Sequence, residues 1–257
     1  PAGYSLIGNV RNENYFSFWL EFVRTHINGR FQFDYNTTDI DKVYMCLNRK
    51  PHNHRIAVVR AIYDQNLQHC GLVSLGTPTD GINMEAHDFL GLPVPIKLEL
   101  DQENQEGQAA VAGDCSGIPC DTTSLGHLGN WKRFFLSVIT ETSMGHTDFI
   151  SEKTLKPILG YKPFIVVGPA STYELLHEWG IDTFNDIFGA DCASTDHEKT
   201  TQEYHCEKIT SLIRDLQNED LNALYKSLLP RLIENRKNLL HACEINHNKI
   251  IETARKF

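Results

Sequence analysis

A chain of 257 residues with 41% hydrophobic and 22% charged residues is long enough to bury a substantial core and too apolar to be disordered. A formal charge of −9 and an isoelectric point near 5.7 exclude a broad surface for nucleic acid or anionic membrane, which needs excess Lys and Arg, but leave room for a local basic pocket. No apolar run is long enough to cross a bilayer and no basic, apolar, cleavable leader opens the sequence, so a cytoplasmic setting is expected.

In chain order, Tyr4–Val10 is apolar, and Tyr15–Val23 carries Phe16, Trp19, Leu20 and Val23 at helical spacing, an aromatic face read as core. Lys42–Leu47 is a β-prone run, Asn48–His54 a polar loop holding Pro51, Arg55–Tyr63 a helix and Leu72–Leu75 the next strand. Strand, loop, helix and strand in that order build a parallel sheet. From Thr77 to Asn130 the chain is rich in Gly, Pro, Asp and Asn, with a strand expected at Ile96–Leu100 and a helix near Trp131. A long stretch of this composition suits a functional loop or a crossing between domains.

The second half alternates more cleanly: strand 134–140, loop 141–150, helix 151–160, strand 163–168, helix 171–179 and a short strand 181–184. Amphipathic stretches from Glu198 to Asp215, Glu219 to Leu229 and Pro230 to Arg255 predict three closing helices, with Pro230 at the first position of the last. The fold class is therefore α/β with a helical C-terminus.

The seven cysteines, at 46, 70, 115, 120, 192, 206 and 243, form no Cys-x-x-Cys pair and predict free thiols in a reducing compartment. Cys115 and Cys120, flanking Ser-Gly-Ile-Pro, have the spacing for a local disulfide, and Asn36-Thr37-Thr38 is a glycosylation sequon that carries little weight without a leader. His197 with His205 and Cys206, and His241 with Cys243, are metal-ligand residue types, but their polar helical neighbours read as solvated faces.

The chemistry concentrates between Asp148 and Gly168, where a polar helix entrance runs directly into an apolar strand. Ser151 is a natural N-cap, and Lys153 and Lys156 share one helix face beside Glu152. A helix N-terminus with two ammonium groups suits a diphosphate, and a carboxylate beside them suits ribose or sugar hydroxyls. The alternative is an exposed Glu152–Lys156 pair of about 0.2–0.5 kcal/mol.

Residues 131–188, from Trp-Lys-Arg-Phe-Phe-Leu-Ser-Val-Ile-Thr-Glu-Thr-Ser through Ser-Glu-Lys-Thr-Leu-Lys-Pro-Ile to Pro-Phe-Ile-Val-Val-Gly and Gly-Ile-Asp-Thr-Phe, resemble a family of glycosyltransferases found in large DNA viruses, phages and bacteria. Tyr-Met-Cys-Leu-Asn-Arg-Lys-Pro-His-Asn-His-Arg at 44–55, with Gly-Leu-Val-Ser-Leu-Gly at 71–76, is similar to a strand, loop and helix of the same family. The Glu-Lys pair resembles, more distantly, the donor-binding segment of fucosyltransferases that use GDP-fucose. The resemblance implies two Rossmann-like lobes facing across a cleft, the GT-B arrangement, with residues 1–125 as the acceptor-side lobe and 126–257 as the nucleotide-sugar-binding lobe. It implies transfer of a sugar from a UDP- or GDP-linked donor to a hydroxyl of a glycan or glycoprotein, with inversion and without an obligatory metal, in the cytoplasm, the host's if the source is viral.

Carried onto this chain, Lys153, Lys156, Arg49 and Arg55 supply cations enough, with a helix N-terminus, to neutralise a leaving diphosphate. Asn48 and Gly168 close two of the strands, and Glu141, Thr142 and Ser143 follow a third, where they would meet sugar and ribose hydroxyls or else cap the next turn. For the base that takes the acceptor proton, His54 is the first candidate, kept neutral by Arg55, and Glu13 the second. Asp39-Ile40-Asp41 fits the D-x-D pattern that holds Mn²⁺ or Mg²⁺, so a metal-dependent transferase is the nearest alternative. A non-catalytic module binding nucleotide sugar or glycan, and a structural assembly protein, are the other readings.

Overall fold

The computed structural model describes residues 14–27, 32–48, 50–76, 89, 91–96, 125, 128–142, 144, 150–189 and 201–255. The helix α1 (Asn14–His26) precedes β1 (Lys42–Asn48), α2 (Asn53–Asp64) and β2 (Gly71–Leu75). Next come α3 (Leu128–Arg133), which runs directly into β3 (Phe134–Thr140), then α4 (Glu152–Leu159) and β4 (Phe164–Val167). The chain ends in helices α5 (Ala170–Glu178), α6 (Asn185–Phe188), α7 (Thr201–Leu216) and α8 (Leu221–Ala254).

The strands form one parallel sheet in the order β2-β1-β3-β4, with Tyr44 opposite Gly71, Tyr44 opposite Leu136 and Ser137 opposite Phe164. Strands from both halves of the sequence thus share a sheet, joined by the β1–β3 pairing across the expected division at residue 125. Among the described residues there is no second sheet. The chain leaves β1 toward β2 and leaves β3 in the opposite direction toward β4. Since crossovers between parallel strands are right-handed, these opposite steps put α2 and α4 on opposite faces. Helix α7 packs on α2 and touches β1 and β4, while α8 packs on α1 and α4.

Every residue of β3 and β4 is buried, as expected of parallel strands covered on both faces, which is why both read as unbroken apolar runs. Trp19, Leu20 and Val23 of α1 are buried, so the aromatic face is core as read; Tyr4–Val10 and the side chain of Phe16 lie outside the described residues. Gly71 lets β2 approach β1: a Cβ there would stand 2.2 Å from the ring of Tyr44.

Three expectations need correcting. Residues 181–184 are not a strand, because α8 takes the hydrogen bonds a neighbouring strand would make: Asp182 N–H donates to Asn235 Oδ1 at 2.7 Å and Asn235 Nδ2 donates to Asp182 O at 2.8 Å. Pro230 does not start a helix; α8 runs through it, held by Tyr225 and Leu228 before it and Leu232 after it, all buried. Helix α2 begins at Asn53, two residues earlier than read, so His54 belongs to its first turn, with Arg55, rather than to a loop. Ile96 makes an antiparallel bridge to Leu75, while 97–100 lie outside the described residues. Cys46, Cys70, Cys206 and Cys243 are free thiols, and Cys115, Cys120 and Cys192 lie outside the described residues. Among the described residues no helix is long and apolar enough to cross a membrane.

Candidate functional site

In open parallel sheets, ligands bind beyond the carboxyl ends of the strands where the strand order switches direction. Here that point lies between β1 and β3, and a cavity of about 630 Å³ opens there. Asn48, Lys50, His52 and Arg55 line it from the end of β1 and the start of α2, and Thr140 and Thr142 from the end of β3. Glu152, Lys153, Lys156 and Pro157 line it from α4. Met45, Leu47, Ile139 and Trp131 give it an apolar floor, on which Leu47 is 44% exposed.

The α4 wall is fixed by one carboxylate. Glu141 is completely buried; its Oε1 accepts from Ser151 N at 3.0 Å and from Thr154 Oγ1 at 2.6 Å. Its Oε2 accepts from Ser151 Oγ at 2.6 Å and from Thr142 N at 3.2 Å. Three of these bonds pin the start of α4 to the end of β3 and the fourth closes on the next residue, so Glu141 acts behind the cavity rather than in it. Ser151 caps α4 as the sequence predicts, accepting from Lys153 N at 3.3 Å. Gly168, after β4, packs against Glu141: a Cβ there would lie 3.4 Å from the Cβ and Cγ of Glu141.

Glu152 is buried at the cavity edge, and its Oε1 receives Lys153 Nζ at 2.7 Å. Lys153 Nζ also lies 3.4 Å from Ser151 Oγ, so the ammonium stands over the opening of the helix. With Lys156 one turn on, the α4 wall presents two cations and a carboxylate above a helix N-terminus, a setting that favours a ligand joining phosphate to hydroxyls.

The opposite wall is held by Arg55. Its Nη1 donates to Lys50 O at 3.0 Å, and its Nη2 reaches Thr140 O and Glu141 O, both at 3.3 Å, and Thr142 Oγ1 at 3.4 Å. This buried guanidinium gathers the backbone ends of β1 and β3 and brings positive charge to the switch point. Asn48 makes a second tie: its Oδ1 accepts from Thr140 Oγ1, its Nδ2 donates to Cys46 Sγ at 3.3 Å and its N–H to Ser74 Oγ at 3.2 Å.

The two histidines of this wall differ. His54 is buried, with Nε2 2.7 Å from Glu141 O, and burial drives its pKa down to about 4; it does not line the cavity. His52 does line it. It stands at the N-cap of α2 without a side-chain hydrogen bond to the helix, and its ring stacks on His54 at 5.9 Å between centroids and 4° between planes. Partial burial, then the charges of Arg55, Lys50 and Lys153, hold its pKa below the usual 6.5.

Of the residues expected from the sequence, Asn48, Arg55, Thr142, Glu152, Lys153 and Lys156 converge on this cavity, whereas Glu141, Ser151, Gly168 and His54 stand behind it. Glu13, Arg49 and Ser143 lie outside the described residues. Asp39 and Asp41 precede the amino end of β1, and seven strand residues at about 3.3 Å each place them roughly 20 Å from the cavity end. Asp41 is engaged there by Arg133, at 2.6 and 2.9 Å. Among the described residues no three His, Cys, Asp or Glu side chains are grouped to hold a metal, and His197 lies outside them. Sequence reasoning missed Lys50 and His52, although both fall in the segment 44–55; the signal was their place just beyond a strand end. No family model matches the chain, and no curated protein or solved structure matches it either.

Proposed function

We propose that this chain is a glycosyltransferase that moves a sugar from a UDP- or GDP-linked donor to a hydroxyl of a glycan or glycoprotein, with inversion and without an obligatory metal. The observation that carries this reading is the convergence of Lys153, Lys156, Glu152 and Arg55, with the capped start of α4, on one cavity at the switch point. Cleavage of the bond to the diphosphate leaves negative charge on phosphate, and fixed cations aimed at that charge lower the barrier. The apolar floor beside Leu47 and Met45 suits a planar base or the face of a sugar ring. The likeness of the Ser-Glu-Lys-Thr-Leu-Lys-Pro-Ile segment to viral, phage and bacterial glycosyltransferases supports the same reading, and the free thiols agree with action in the cytoplasm, the host's for a viral source. In this reading the sheet is the donor-binding half of a two-lobed enzyme, and the acceptor enters on the side of α2.

The test is a screen of UDP- and GDP-linked sugars by thermal shift, followed by assay for free nucleoside diphosphate. A donor that raises the melting temperature and is slowly hydrolysed supports the transferase. A donor bound and protected from hydrolysis identifies a binding module instead, and no shift with any nucleotide sugar sinks both.

A further inference from the structure

We propose that His52, rather than His54, is the group in this cavity that takes the proton from the attacking hydroxyl; the inference rests on the transferase reading above. Geometry separates the two rings. His54 is committed to the carbonyl of Glu141 at 2.7 Å and buried, so its Nε2 carries a proton and serves as a donor. His52 occupies the cavity wall at the mouth of α2, facing Lys153 and Glu152 on the other wall, with Lys50 and Arg55 on its own. No helix-capping bond ties its side chain down, while the ring beneath it fixes its plane.

The surrounding charges suit the task. Partial burial first, and then Arg55, Lys50 and Lys153, disfavour a second proton on His52, so the imidazole is neutral near pH 7 and has a lone pair to offer. Glu152, the carboxylate on the facing wall, receives Lys153 at 2.7 Å and is thereby occupied with the cation that meets the donor. In the transfer step the acceptor oxygen forms a bond to the anomeric carbon and its proton passes to His52. The bond from that carbon to the diphosphate oxygen breaks, and its electron pair leaves with the nucleoside diphosphate, whose charge Lys153 and Lys156 meet. His52 returns its proton to solvent.

The experiment uses the full chain with whichever nucleotide sugar the screen identifies. His52→Ala is expected to lower kcat by about 10²–10⁴-fold. The dissociation constant for the donor, measured by calorimetry, and the melting temperature should stay at the parent's values. Added imidazole should restore part of the turnover of His52→Ala, and the acid limb of the parent's pH–rate profile, falling below pH 6.5, should vanish in His52→Gln. His54→Ala should show no imidazole rescue. Turnover of His52→Ala within about threefold of the parent, or an unchanged acid limb in His52→Gln, overturns the assignment. A parent that consumes no nucleotide sugar is a separate result, the failure of the transferase reading itself.

Discussion

Nε2 of His54 lies 2.7 Å from the carbonyl oxygen of Glu141, so the first turn of α2 is fastened to the end of β3 across the switch point. The same Glu141 uses its carboxylate to hold the start of α4. One residue therefore spaces both walls of the cavity, with its main chain on one side and its side chain on the other.

Burial of the His54 ring has a pH signature. The folded ring has a pKa of about 4 against the ordinary 6.5, so between those values the unfolded chain binds more protons and stability falls as the pH is lowered. The loss attributable to this group is on the order of 3 kcal/mol by pH 4 and grows no further below it. His54→Asn should be less stable than the parent at pH 7 and should lose less on acidification, as read by urea unfolding at a series of pH values. Parallel curves for the two proteins would refute the account.

Glu141→Ala leaves Ser151 N, Ser151 Oγ and Thr154 Oγ1 facing an absent acceptor in a buried site. Unmet buried donors cost about 1–3 kcal/mol each, so a loss of roughly 3 kcal/mol or more is expected in chemical denaturation. Donor affinity should fall with it, because the cap of α4 loses its anchor.

Lys153→Ala and Glu152→Ala act on the cavity itself. Lys153 is partly exposed, and its removal should weaken binding of the donor by about tenfold or more, the worth of a charge-assisted hydrogen bond, with little change in melting temperature. Glu152→Ala should weaken donor binding through lost hydroxyl contacts. Titration calorimetry showing parental affinity in both variants would move the site elsewhere.

Asp39→Asn and Asp41→Asn test the metal-dependent alternative. Asp41 and Arg133 form a half-exposed pair, 49% and 46% accessible, worth about 0–1 kcal/mol. Neither substitution should alter donor binding or turnover. Activity lost in EDTA and regained with Mn²⁺ would favour the metal-dependent enzyme.

Lys162 lies outside the site and carries a separate expectation. It is fully buried, donates to Phe134 O at 2.7 Å and faces the rings of Phe134 and Tyr225 at 4.9 and 4.6 Å. Burial draws its pKa down to about 7 from the ordinary 10.5, so between those values the unfolded chain binds more protons and stability rises with pH. Lys162→Met should be more stable than the parent at pH 6, with the gap closing toward pH 10. Equal slopes of stability against pH would refute this.

The βαβ grammar was legible because β3 and β4 are buried along their whole length and so appear as apolar runs, and because Ser151 is a residue type that caps helices. The start of α2 was not legible, since His52 caps it without the side-chain bond that marks a helix entrance in sequence. Residues 181–184 have the apolar content of a strand, but their partner is the amide of Asn235, distant in sequence and belonging to a helix. The pairing of β1 with β3 is equally non-local, and no pattern within either half announces that both share one sheet. At the site, its place in the segment 44–55 beside Arg55 singled out His54, whereas the side on which each ring of the pair emerges from α2 depends on the helix boundary.

Helix α8 clasps two extended segments with side-chain amides: Asn222 exchanges bonds of 3.1 and 3.2 Å with the backbone of Ile40, and Asn235 does the same for Asp182. One segment leads into β1 and the other follows α5, so a single rod is stapled to both sequence halves. Among the described residues, sequence halves joined in this way by a common sheet and a common rod do not part from each other as two jaws. Donor uptake would then be governed by side chains at the rim of a preformed socket, and its rate should respond to ionic strength through Lys50, Lys153 and Lys156 more than to any large closing motion.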